Sequence, residues 1–367
     1  MPKLKKESIR LFQTLNETFG DFRKRVKNTT GWGLSDPIIV QPYWGYGCDN
    51  YLHMRGRVLE DENIVTTDDD GKWRNLWNAY KRFESDEIAD AKVTVNFLGK
   101  TFSARTDSEG YFVIDEHFED ATETITPPLT RAETHLVDVP GNRNVHLIAN
   151  SCVLTPAEDA EFGIISDVDD TVLQTHVTSP LKWRMFVSTF FENANSRMSF
   201  AGTPELYRAL AAGSDGQQQN PVFYVSNSPW NLFDFLLQFL KTNKLPLGPV
   251  ILRDLGLPKG PKPEGWKGHK HGNITKILNT YPHLPFVLIG DSGERDADIY
   301  REIALEHPDR IKAIYIRDLN VRKHTERIQA LFAEEAPTPM ILANDAEIIA
   351  QHAQGLKLVG KVDWEAV

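Results

Sequence analysis

A chain of 367 residues is long enough for two domains at about 150 residues each, and 41% hydrophobic, 25% charged and 10% aromatic residues describe a folded globular protein, not a disordered or fibrous one. The formal net charge of -10 argues against a general nucleic-acid binder, which needs a basic balance or a basic face. Cys48 and Cys152 are the only cysteines and form no CxxC pair, which argues against a disulfide framework or a zinc ribbon and fits a reducing compartment.

From the N-terminus, residues 3–28 place Leu11, Leu15, Phe19, Phe22 and Val26 three or four apart, a spacing that predicts a helix with one apolar face. The opposite face is basic, since Lys3, Lys5, Lys6, Arg10, Arg23, Lys24, Arg25 and Lys27 outnumber Glu7, Glu17 and Asp21. This first unit, residues 1–35, is expected to pack on its own domain, although a basic amphipathic helix can also rest on an anionic membrane surface. No apolar core of signal-peptide length opens the chain and no run of about 18 apolar residues follows. A cytoplasmic chain, at most peripheral on a membrane, is expected.

Across residues 36–155 the period changes to alternation. "YLHMRGRVL", "AKVTVNFLG", "TFSAR", "YFVID", "ETHLVDV" and "NVHLIANSCVL" predict strands of a small antiparallel β-sandwich, with Val93, Val95 and Phe97 on one face and "TDSEG" as a hairpin connection. One amphipathic helix, with Trp73, Leu76, Trp77, Tyr80 and Phe83, interrupts them. The unit offers no catalytic constellation and is expected to be a structural or targeting module.

In residues 156–367 the short apolar runs "FGII", "PVFYV", "PFVLI", "IKAIYI" and "MILA" alternate with helical stretches, which predicts an α/β unit with a doubly wound parallel sheet. Ligands of such sheets bind beyond the carboxyl ends of the strands. There the chain places Asp167, Asp169 and Thr171 after the first run, then Ser226, Asn227 and Ser228 after the second, and Gly290, Asp291, Ser292 and Gly293 after the third, with Asp296 close behind. Lys270, in "KGHKHGNITKIL", stands at the start of a predicted helix between the last two.

Crowded carboxylates repel and raise one another's pKa unless a cation lies among them. Metal-assisted phosphoryl transfer uses such a set. An aspartate can attack phosphorus when a divalent cation offsets the charges, and Mg²⁺ prefers hard oxygen ligands, here offered by Asp167 and Asp291. Asp169 could then protonate the leaving oxygen and activate water, while Ser226, Asn227 and Lys270 hold phosphoryl oxygens. Alone, D-x-D-x-T is a weak signal; in order with a post-strand serine, a lysine and G-D-x-x-x-x-D it is strong.

In that order, Asp167-x-Asp169-x-Thr171, Ser226, Lys270 and Asp291 followed by Asp296 resemble the four motifs of the haloacid dehalogenase superfamily. The longer strings "ISDVDDTV", "YVSNSPWNL", "LPLGPVILRDLG", "HKHGNITKIL", "FVLIGDSGERDADIY" and "AIYIRD" resemble the Mg²⁺-dependent phosphatidate phosphatase family typified by the yeast actin patch enzyme and its bacterial relatives, a family related to lipins. The likeness covers residues 162–318, and more loosely the tail to 355. It implies Asp167 as nucleophile, Asp169 as general acid and base that also offers its backbone carbonyl to Mg²⁺, Asp291 as metal ligand and Asp296 as an outer ligand. It further implies Ser226 and Lys270 as phosphate contacts and Thr171 as a support of the loop. The implied reaction is hydrolysis of phosphatidate to diacylglycerol and phosphate through an aspartyl-phosphate intermediate. A soluble phosphomonoester as substrate, or a phosphatidate-binding membrane module without catalysis, are the alternatives.

Other readings of these residues fail on spacing. An EF-hand opening at Asp167 needs Gly at position six and Glu at twelve, where Val172 and Thr178 stand. "GDSG" is followed by Glu294 and Arg295 in an α/β context, unlike a trypsin-like nucleophile loop. His269 and His271 lack a third spaced ligand for zinc, so structural or substrate-contact roles are expected. Asp170 reads as a solvated or turn-capping residue. The apolar stretch from Trp230 to Leu240 reads as a core helix, and residues 179–194 as the place of a minimal cap.

Overall fold

The computed structural model describes residues 38–60, 87–141, 146–168, 202–254, 267–333 and 338–364. The predicted N-terminal helix, the helix from Trp73 to Phe83, residues 179–194, and Asp169, Asp170 and Thr171 therefore lie outside the described residues.

The first part of the chain forms an eight-stranded sheet: β1 (Ile38–Pro42), β2 (Gly45–Cys48), β3 (Tyr51–Glu60), β4 (Lys92–Phe97), β5 (Lys100–Arg105), β6 (Tyr111–His117), β7 (Leu129–Asp138) and β8 (Leu147–Leu154). Their order is β1-β3-β2-β8-β7-β4-β5, with β6 attached to β3. Every pairing is antiparallel except β2 with β8. Alternation along β4 buries Val93, Val95 and Phe97 in one core with Leu52, Met54, Phe112 and Val153, as the period-two pattern predicts.

A small antiparallel β-sandwich with a hairpin at "TDSEG" is the expectation; the eight strands are linked as one sheet through β3, which pairs with β1, β2 and β6. The turn itself forms, with the Asp107 carboxylate accepting the amides of Glu109 and Tyr111. Its flanking strands take different partners, β5 on β4 and β6 on β3. Gly110 is the physical reason. At φ 75° it lies so close to β3 that an added Cβ would meet the Val58 carbonyl oxygen at 2.5 Å, and the Val58 amide donates to the Gly110 carbonyl, so the chain leaves the turn already bonded to β3.

The second part forms a six-stranded parallel sheet from β9 (Gly163–Ser166), β10 (Val222–Pro229), β11 (Val250–Arg253), β12 (Phe286–Asp291), β13 (Ile311–Arg317) and β14 (Met340–Ala343), in the order β11-β10-β9-β12-β13-β14. Six α-helices are described with it: α1 (Thr203–Ala212), α2 (Phe233–Thr242), α3 (His269–Thr280), α4 (Asp296–Glu306), α5 (Arg322–Ala333) and α6 (Ala346–Gly355). Alternate strand residues feed two cores. Ile164, Tyr224, Val287 and Tyr315 pack with residues of α1, α2 and α6; Ile165, Val225, Leu288 and Ile316 pack with α3, α4 and Ile328 of α5. The described helices thus cover both faces, which is why the strands read as continuous apolar runs. Among the described residues, no helix is long and apolar enough to cross a membrane.

The strand order is what positions the site. The chain lays β10 and β11 on one side of β9, then returns to lay β12, β13 and β14 on the other. A ligand of such a sheet sits where this reversal leaves a crevice at the carboxyl edge, and the expected residues follow β9, β10 and β12.

Candidate active site

Asp167 follows directly on β9. Its amide donates to the Ile289 carbonyl of β12 at 2.9 Å, and its side-chain Oδ1 accepts the Val168 amide at 2.9 Å, so the carboxylate is fixed against its own backbone. On the opposite face of β9, Ser166 Oγ lies 2.7 Å from the Tyr207 hydroxyl of α1 and donates to the Asp167 carbonyl at 2.6 Å. Burial, helped by the Asp167 charge, raises the Tyr207 phenol above its ordinary pKa, so this buried chain stays neutral.

Lys270, the second residue of α3, is 2% exposed and aims its ammonium at three carboxylates. Nζ stands 2.7 Å from Asp296 Oδ1, 2.7 Å from Glu294 Oε2 and 3.2 Å from Asp167 Oδ1. Burial works against its charge, yet Asp167, Asp296 and Glu294 outweigh burial and hold the lysine well above its ordinary pKa. Asp296, fully buried at the start of α4, is pushed upward by burial despite the Lys270 charge beside it. This is the cation the crowded acids require.

Asp291 closes β12 and faces the turn that follows. Its Oδ1 accepts the amides of Gly293 and Glu294, at 2.5 and 3.2 Å, while its own amide donates to Asp296 Oδ2 at 3.3 Å. Gly290 makes this possible, because a Cβ there would meet Asp296 Oδ2 at 2.5 Å and the Tyr300 ring at 2.8 Å. In β10, Ser226 Oγ accepts the Ser228 amide at 2.8 Å, and Asn227 Nδ2 donates to Glu294 Oε2 at 2.8 Å. Both lie within the strand, which runs on to Pro229, where the expectation ends it at Val225. The extended backbone imposed before a proline explains the longer strand, and the register against β11 shifts between Val225 and Pro229.

Of the expected residues, the structure brings together Asp167, Lys270, Asp296, Asp291, Asn227 and Ser226 at the carboxyl edge. Asp169 and Thr171 lie outside the described residues. Glu294 is a site residue that the spacing did not mark: it sits inside G-D-x-x-x-x-D at a position the pattern leaves open, and only its two contacts reveal it. Arg317 is buried at the end of β13, in register with Asp291. β11 was likewise not expected, being four residues between a proline-rich turn and charged residues.

The donor chemistry fits a hard cation. Asp167, Glu294 and Asp296 each offer a carboxylate oxygen, all within 4.8 Å of one another; oxygen ligands of this kind suit Mg²⁺ better than thiophilic metals. A second grouping, His271 with Glu302 and Glu306, already holds the Lys267 ammonium between its two glutamates. His269 is partly buried with its Nδ1 3.1 Å from Asn273 Nδ2 on the same helix, and burial together with the Arg253 and Lys270 charges lowers its pKa to about 4.

The parallel α/β sheet thus gathers buried acids around a lysine beyond its strand ends, where ligands of such sheets bind. Residues 162–318 match the family described as phosphatidate phosphatase APP1, catalytic domain. The chain is 31% identical over 244 residues to phosphatidate phosphatase APP1 of Saccharomyces cerevisiae, covering 64% of this chain and 39% of the yeast protein. It is 26% identical over 279 residues to an uncharacterized protein of Schizosaccharomyces pombe, covering 74% of this chain and 41% of that one. The chain thus spans about two fifths of the length of these relatives. Among solved structures, a carbohydrate acetylesterase from Xanthomonas citri aligns at a TM-score of 0.29 and 11% identity over 85% of this chain and 72% of that one, too distant to assign a fold.

Proposed function

We propose that residues 156–367 form a haloacid dehalogenase-like phosphatase that hydrolyses phosphatidate to diacylglycerol and phosphate with Mg²⁺, and that residues 36–155 form a structural platform for it. The observation that carries this reading is the buried cluster of Asp167, Asp296 and Glu294 around Lys270 at the carboxyl edge of the sheet. Such a cluster is costly unless used, because each buried charge loses several kcal/mol of hydration that only close pairing offsets, on the order of that same loss. The match of residues 162–318 to the phosphatidate phosphatase family supports phosphatidate as the substrate class.

Asp167, Asp291 and Asp296 would hold the metal, with the Asp169 backbone carbonyl as a further ligand. When bound, Mg²⁺ offsets the negative charge that the phosphoryl group brings to these acids. Asp167 forms the new bond to phosphorus as the ester oxygen departs, and Asp169 gives that oxygen its proton. Water then attacks the aspartyl phosphate, Asp169 takes the water's proton, and Asp167 is released with free phosphate. Lys270, Asn227 and Ser226 steady the phosphoryl oxygens throughout, and Thr171 keeps the nucleophile loop in place.

The test is phosphate release across short-chain phosphatidate, lysophosphatidate, glycerol phosphate and sugar phosphates, with Mg²⁺ and with EDTA. Release from the two lipids that EDTA stops and Mg²⁺ restores is expected. A preference for glycerol phosphate over both lipids would assign the chain to soluble phosphomonoesters instead.

A further inference from the structure

One atom of the site does two things at once. Glu294 Oε2 accepts from Asn227 Nδ2 at 2.8 Å and from Lys270 Nζ at 2.7 Å. These two donors come from different elements, β10 and α3, and both are the groups expected to hold phosphoryl oxygens. A single anionic oxygen bridging them has the charge and the hydrogen-bond geometry of a phosphate oxygen bound at the same place.

Glu294 also differs from the other acids of the cluster in its freedom. The side chains of Asp167 and Asp296 are 0% exposed, whereas that of Glu294 is 21% exposed, so it alone of the three has solvent to turn into. Its backbone is meanwhile pinned, since the Glu294 amide donates to Asp291 Oδ1 at 3.2 Å and its carbonyl accepts from Arg327 Nη2 at 3.4 Å. Rotation of the side chain, with no movement of the loop, is enough to hand both donors to another anion.

We propose that Glu294 competes with the substrate's phosphoryl group for Asn227 and Lys270, and so sets how tightly the site takes a phosphomonoester. This rests on the phosphatase reading above. The glutamate keeps two distant donors converged and oriented, and a phosphate must displace it. A dianion brings more charge and more acceptor oxygens than the carboxylate, so it wins the exchange. A singly charged carboxylate ligand does not, which makes Glu294 a filter against ordinary carboxylates as well as a brake on phosphate affinity.

The experiment is titration calorimetry of the full chain with inorganic phosphate at saturating Mg²⁺, for the parent, E294Q and E294A, with Mg²⁺ alone titrated in parallel and steady-state kinetics on phosphatidate. Both variants are expected to bind phosphate about tenfold more tightly, the loss of one close competing charge being worth roughly that factor. KM should fall by a similar factor with Mg²⁺ affinity unchanged, and thermal unfolding of each variant checks that it is folded. Unchanged or weaker phosphate binding overturns the proposal. So does a loss of Mg²⁺ affinity that carries phosphate affinity down with it, which would make Glu294 a metal ligand instead. If the parent itself binds no phosphate with Mg²⁺ and releases none from any ester, the phosphatase reading falls and this proposal with it; an active parent whose variants do not differ overturns this proposal alone.

Discussion

At the scale of single residues, the site is an electrostatic balance around Lys270. Removing one member of a buried pair leaves its partners uncompensated, which typically costs about 3–5 kcal/mol. Lys270→Met is therefore expected to lower the unfolding free energy in urea by an amount of that size, and added Mg²⁺ to recover part of it, because a cation can take over the task of the ammonium; no recovery would separate the lysine's structural task from the metal's. Gly290→Ala tests the packing of the same cluster. Its new Cβ would press on Asp296 and Tyr300 at 2.5–2.8 Å, so a loss of about 1–3 kcal/mol in stability is expected, with activity falling further than stability alone explains. Asp167, Ser226, Lys270, Asp291 and Asp296 were legible in the sequence because each follows an apolar strand or opens a helix at a fixed place in the motif. Glu294 was not, since nothing in spacing separates a converging charge from a solvated one until the strands are assembled.

At the scale of elements, α3 joins the site to the sheet. Its first residues carry the partly buried His269, beside Asn273 of the next turn, and then Lys270 among the acids. Burial and the Arg253 and Lys270 charges keep His269 neutral by lowering its pKa from the ordinary 6.5 to about 4. The sign follows directly: between those two values the unfolded chain binds a proton that the folded chain does not, so stability falls as pH drops through that window and is flat above it. His53, also lowered chiefly by burial, acts in the same direction. The urea midpoint is expected to decline from pH 6.5 toward pH 4, and His269→Gln to flatten part of that slope; an unaltered slope would place the acid sensitivity elsewhere. The existence of β9, β10, β12, β13 and β14 was legible from their apolar runs. The end of β10 was misjudged because Ser226 and Asn227 look like loop residues, while the proline that extends the strand lies two positions further on.

At the scale of the whole molecule, the antiparallel sheet is built into the cores of the parallel one, which no periodicity foretells. Tyr43, between β1 and β2, stacks on Phe233 with ring centroids 3.7 Å apart and on Trp230 at 5.6 Å. Arg55 of β3 lies 4.6 Å over both Trp230 and Tyr111 and pairs with Asp254 at 3.3 Å. On the other face, the Tyr281 hydroxyl donates to the Leu154 carbonyl at 3.0 Å, and Lys276 of α3 pairs with Asp115 of β6, which also accepts from Tyr51. Trp230 and Phe233 directly follow the strand that holds Ser226 and Asn227, so the platform braces the site from outside. Tyr43→Ala is expected to cost about 3–5 kcal/mol, as for other large buried aromatics, and to speed amide exchange in β10 as well as β1; a change confined to β1 would show that the two sheets are independent. The central claim, that Asp167 attacks phosphorus, is tested most directly by quenching turnover with borohydride, which reduces an aspartyl phosphate to homoserine, and sequencing the product. Homoserine is expected at position 167 in the parent and not in Asp167→Asn, which should also release no phosphate; full phosphate release by that variant, or homoserine at another aspartate, would contradict the assignment.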